Sequence, residues 1–84
     1  MLSCSVDSRR RRLRDRLAQH PRTVTFAEAR AVLEAYGFEL SRITGSHHVF
    51  QRGRATVVLP FKRPSIGPVY VRQILAATEA VDNE

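Results

Sequence analysis

The sequence predicts an α+β domain in the order α-β-β-β-α, with two helices on one face of a three-stranded antiparallel sheet and an extra basic helix in front. Three observations predict it. Residues 26–36 carry apolar side chains at helical spacing. Residues 38–59 hold short β-type segments broken by glycine-containing turns. Residues 68–81 return to helical spacing after a proline-rich loop. Helices that all follow or precede a run of strands favour a sheet covered on one side. A chain of 84 residues is one small domain. It buries roughly 60–65% of its unfolded surface, so it has a thin core and no deep enclosed pocket. A site on it is an open groove or a sheet face.

Each element has a local reason. Met1 to Ser8 reads as a disordered start, and Arg9 to Gln19 as a helix capped by Ser8 and stopped by Pro21. Leu13 and Leu17 give that helix a narrow apolar stripe. Four arginines in its first turn oppose the helix dipole, so it must dock, bind an anion or fray. Residues 1–22 are therefore read as a basic leader, of which residues 1–19 are expected to be dispensable for the fold. Thr25 and Glu28 have capping-box spacing, with Val24 before the cap, and open a helix from Phe26 to Tyr36 that Gly37 ends. Strands follow over Phe38 to Ile43, His47 to Arg52 and Ala55 to Leu59, joined by turns at Gly45-Ser46 and Gly53. "PFKRPSIGP" is a basic loop, and Pro68 suits the first turn of a last helix reaching about Val81. The main domain spans residues 23–81, and residues 82–84 form a tail that frays.

Charge narrows the partners. The net charge is +6, and arginine supplies 13 of the 14 basic residues. The guanidinium fork suits phosphate and stacks on bases, and a small domain of high pI carries the electrostatic footprint of nucleic-acid binding. An acidic protein partner fits the same charge. The one cysteine, Cys4, excludes a disulfide within the chain and makes a reducing cytoplasm the expected location. "SRRRRLRDR" has no apolar stretch after it, so it does not read as a secretory signal.

His47 and His48 are adjacent in a strand, so they point to opposite faces. Phe50 is the bulkiest apolar residue of that strand and takes the core face together with His48 and Arg52. His47 then shares the open face with Val49 and Gln51. Neighbours that diverge make a poor metal pair. The third histidine, His20, precedes Pro21, and no cysteine or carboxylate lies at ligand spacing. Neither a metal nor a cofactor is expected.

"GFELSRITGSHHVF", a strand closing in "VVLP", and "GPVYVRQIL" together resemble the HicA-type toxins of bacterial toxin–antitoxin pairs. The resemblance spans Thr25 to about Leu75, and Gly45-Ser46-His47 is its most specific part. It implies a double-stranded-RNA-binding-like fold and an mRNA interferase, a ribonuclease that cleaves messages and is blocked by a HicB-type antitoxin. The family's essential histidine carries over to His47. Some members place it one residue later, which makes His48 the secondary candidate. Ser46 either orients the phosphate or simply forms the turn. Lys62 and Arg63 are the phosphate contacts expected by loop position, with Arg42 and Arg52 behind them. The chain departs from the family pattern at Phe61, where many members have His or Arg. It also departs in its shortened basic stretch and in Ala77 to Val81. The competing readings are a non-catalytic RNA-binding module and a basic domain that docks an acidic protein.

Overall fold

The computed structural model describes residues 3–83. Six elements follow in order: α1 (Ser3–Gln19), α2 (Phe26–Ala35), β1 (Glu39–Thr44), β2 (His47–Arg52), β3 (Ala55–Pro60) and α3 (Pro68–Asp82). The strands form one antiparallel sheet in the order β1-β2-β3. This is the α+β architecture with the extra N-terminal helix that the sequence predicts. No helix among the described residues is long and apolar enough to cross a membrane.

Local chemistry sets the element ends. Thr25 Oγ1 accepts from the Glu28 backbone N–H at 3.2 Å, and Glu28 Oε1 accepts from the Thr25 N–H at 3.0 Å. The capping box thus satisfies two donors that the helix start would otherwise orphan. Val24 is buried just before the cap, and its carbonyl accepts from the Ile66 N–H at 3.0 Å. Gly37 has φ 88°, and a Cβ there would meet Arg52 Nε at 3.2 Å. Backbone hand and space both favour glycine at this position.

The core lies between the helices and one sheet face. Phe50, Val57 and Leu59 from the sheet join Ala29, Val32 and Leu33 of α2 and Val71 and Ile74 of α3. Directly opposed strand residues share a face. The pairs Phe50↔Val57 and His48↔Leu59 therefore lie on the helix side. The pairs Thr44↔His47, Arg42↔Val49 and Gln51↔Thr56 lie on the other.

Three features differ from expectation. First, helix begins at Ser3, so Ser8 is an interior helical residue and neither a cap nor part of a disordered start; Met1 and Leu2 lie outside the described residues. Six more residues ahead of the arginine run move it from the first turn to mid-helix, where the dipole no longer opposes it. Second, Leu17 is only 2% exposed and belongs to the core, with Leu13 packed against it. Arg14 Nε donates to Thr78 Oγ1 at 2.8 Å, and its Nη2 to the Leu75 carbonyl at 3.0 Å. The helix expected to be dispensable contributes to the core. Third, Asp82 is held instead of fraying. Its Oδ2 accepts from the Tyr36 hydroxyl at 3.0 Å, and its Oδ1 pairs with Arg10 Nη2 at 3.3 Å. The Arg10 guanidinium also lies 4.7 Å from the Tyr36 ring centroid. The two terminal helices and the end of α2 are clasped at one point.

Candidate active site

The turn Gly45-Ser46 places β2 so that His47 is its first residue, directly opposite Thr44 on β1 and Pro60 on β3. Gly45 has φ 60°, the left-handed conformation a two-residue hairpin turn requires. Because Phe50 is fully buried on the helix side, His47 falls on the uncovered face, and it is exposed. His48 is half-buried on the helix side. Its ring centroid lies 4.7 Å from Phe26 of α2 and 5.9 Å from Phe61. Its Nδ1 is buried and has no hydrogen-bond partner among the described residues, and the two phenyl rings pack against it.

A β-bulge sits between Leu40 and Arg42, leaving Ser41 without a partner residue. One extra residue reverses the alternation beyond it. Arg42 thereby moves from the side of Leu40 to that of Val49, Thr44 and His47. Arg42 and His47 are then diagonal neighbours on the open face, a spacing that a long side chain bridges.

The loop after β3 starts beside His47. Its first link is a short hydrogen bond, 2.6 Å, from the Phe61 N–H to the Ser46 carbonyl. Lys62 and Arg63 follow, both exposed. Ser46 thus shapes the site through its backbone. Arg52 is not part of this assembly: it ends β2, about 16 Å from His47 at strand rise, on the helix side and against Gly37. The arrangement brings His47, Arg42, Lys62 and Arg63 to one end of the sheet. Among the described residues no group of three or more His, Cys, Asp or Glu is placed to hold a metal ion.

Residues 26–80, well over half of the chain, match the model of the HicA toxin family of bacterial toxin–antitoxin systems. The chain belongs to the HicA toxin family. Comparisons with curated proteins and with solved structures find no match. Membership in the HicA family makes this chain the toxin side of a toxin–antitoxin pair and implies an antitoxin partner. The matched region opens at Phe26, the first residue of α2, and closes within α3. Helix α1 lies outside it.

Two more residues belong to this end of the sheet: Thr44, which the sequence does not single out, and Phe61, which the sequence marks only as a departure from the family pattern. Thr44 faces His47 across the hairpin, as the two-residue turn alone dictates. Phe61 is 52% exposed, and the signal for it is an aromatic placed between a strand-ending proline and two basic residues.

Proposed function

We propose that this HicA-family toxin is an mRNA-cleaving endoribonuclease that needs no metal, with His47 as its proton-transfer residue, and that a HicB-type antitoxin neutralises it by covering this site. The observation that carries the reading is the position of His47: exposed, first on β2, on the uncovered sheet face, beside a loop with two cations.

RNA supplies its own nucleophile. The 2′-hydroxyl attacks the adjacent phosphorus, and the 2′-oxygen–phosphorus bond forms as the bond to the 5′-oxygen breaks. The 2′-hydroxyl proton leaves to a base, and a proton reaches the departing 5′-oxygen. The products are a 2′,3′-cyclic phosphate and a 5′-hydroxyl. Histidine takes up and releases protons near neutral pH, and such transfer contributes typically ~10²–10⁴-fold. Arg42, diagonal to His47 on the open face, supplies positive charge against the phosphorane, and Lys62 and Arg63 on the adjoining loop hold neighbouring phosphates. The carboxylate on the open face, Glu39, lies opposite Gln51 toward the other end of the strands, so His47 has no second acid–base side chain next to it among the described strand residues, and turnover is slow. Slow turnover suffices for a toxin, because each message needs one cut.

The test is RNA cleavage by purified wild type, His47→Ala and His48→Ala, run with a strong chelator present and with folding followed by circular dichroism. His47 is exposed, so its alanine variant keeps the fold, while cleavage falls by about 10²–10⁴-fold. The His48 substitution has the smaller catalytic effect. Wild-type cleavage by folded His47→Ala protein excludes the assignment. An inactive but RNA-binding wild type turns the reading to a binding module.

A further inference from the structure

On the helix side of the same sheet end lies a groove of about 370 Å³ that the proton-transfer chemistry does not use. Phe26, Phe61, Lys62 and Arg63 line it, together with Thr25 and Pro64. We propose that this groove is a subsite for one base of single-stranded RNA, with Phe61 as the stacking platform and Lys62 and Arg63 holding the phosphates on either side. The inference rests on the reading of RNA as the ligand and adds where, and by what chemistry, the strand is gripped.

Four observations carry it. Phe61 is 52% exposed, whereas Phe38 and Phe50 are buried at 2% and 0%. Ile43 and Val69 are as exposed, so what distinguishes Phe61 is a flat ring that shares a groove with two cations. The ring is also held in place. Phe26 meets it edge-to-face at 5.1 Å and 84°, and its backbone is tied to Ser46. A platform fixed before binding loses little entropy on binding. The Arg63 guanidinium lies 5.7 Å from the Phe61 centroid, the cation and aromatic pairing that single-strand grooves present to base and phosphate together. Finally, the His48 ring packs against both phenylalanines, 4.7 Å from Phe26 and 5.9 Å from Phe61.

The chemistry favours a base over an acidic peptide. Carboxylates answer Lys62 and Arg63 but gain nothing from a flat exposed ring. A splayed nucleotide answers both at once: stacking on aromatic side chains is the common mode for unpaired RNA bases and tolerates any sequence.

The chain has no tryptophan, so Phe61→Trp keeps a stacking ring and creates a sole fluorescent reporter. The full-length variant is titrated with an eight-nucleotide RNA whose 2′-hydroxyls are methylated, with an abasic strand of equal charge, and with a polyglutamate peptide. The RNA quenches the reporter; the abasic strand and the peptide do not. Phe61→Ala weakens RNA binding by about five- to 150-fold and leaves the weak abasic binding unchanged. Equal quenching by the abasic strand, or stronger quenching by polyglutamate, overturns the subsite. Phe61→Ala binding and cleaving RNA like wild type overturns it too, while leaving the nuclease reading intact. If wild type binds no RNA at all, both readings fall.

Discussion

Replacing Leu17 with alanine tests whether α1 belongs to the folding unit. The side chain is 2% exposed and packs in the core, although it lies outside the family-matched residues. The substitution removes three carbons, about 2.4 kcal/mol at ~0.8 kcal/mol per buried methylene. A cavity adds to that, and measured leucine-to-alanine losses run about 2–5 kcal/mol. Helix α1 is an outer layer on α2 and α3 and can settle inward, so a loss of about 2–3 kcal/mol is expected. A chain of 84 residues has a total stability on the order of 4–13 kcal/mol. The melting temperature should fall by about 10–20 °C, at roughly 4–8 °C per kcal/mol for a domain of this size. Thermal unfolding followed by far-ultraviolet circular dichroism reads it, with exposed Arg11→Ala as a control that stays within ~0.5 kcal/mol of wild type. By the same reasoning, deleting residues 1–19 costs the domain its cooperative transition. An unchanged melting temperature for Leu17→Ala, or a sharp transition in the truncation, would refute the reasoning.

Two further outcomes are expected. Burial, and then the hydrogen bond and negative charge of Asp82, push the Tyr36 hydroxyl above its ordinary 10.0, against the opposing pull of Arg10 and Arg14. The folded state therefore keeps this proton longer than the unfolded chain; its stabilisation is complete below pH 10 and is lost as the pH rises through the higher folded value. Urea midpoints between pH 9 and 11 should fall more steeply for wild type than for Tyr36→Phe, and parallel slopes would contradict the linkage. RNA affinity should drop steeply with salt, by a log–log slope of about −0.7 per phosphate contacted by a single strand. Removing Lys62 and Arg63 together should flatten that slope by about 1.4, whereas a salt-independent wild type would indicate a protein ligand in place of RNA.

What the sequence reveals here is what neighbours in the chain decide. Thr25 with Glu28 spells out a capping box three residues long, and it forms as written. The glycine turns fix the hairpins, and with Phe50 in the core the two-residue period places His47 on the open face. The bulge at Ser41 has no such marker, since alternation from Phe38 would carry Arg42 to the helix side. The Asp82 clasp was hidden for another reason. It joins Arg10 and Asp82, 72 positions apart, through Tyr36, and nothing local distinguishes that aspartate from a solvated tail. The start of α1 is masked because Ser8 before four arginines imitates a helix cap, while the helix itself begins at Ser3. Arg52 looked like a phosphate contact by charge alone; its place at the far end of β2 follows from strand length, which charge does not encode. The openness of Phe61 depends on where α2 sets Phe26 down, a matter of tertiary packing.

The short hydrogen bond between Ser46 and Phe61 joins the hairpin turn to the loop at the very rim of the sheet. His47 looks out over one side of that rim, and Phe61 leans against α2 on the other. Any polymer that touches both must fold over the rim like a cord over the lip of a pulley. A double helix is far too stiff for such a hairpin bend, since bending a duplex even gradually costs several kcal/mol over tens of base pairs. A loose strand rounds the corner freely. If the ligand is RNA, as proposed, the backbone bond that knits the rim doubles as a filter on secondary structure: unpaired stretches would pass over it and stems would be turned away before any sequence is read.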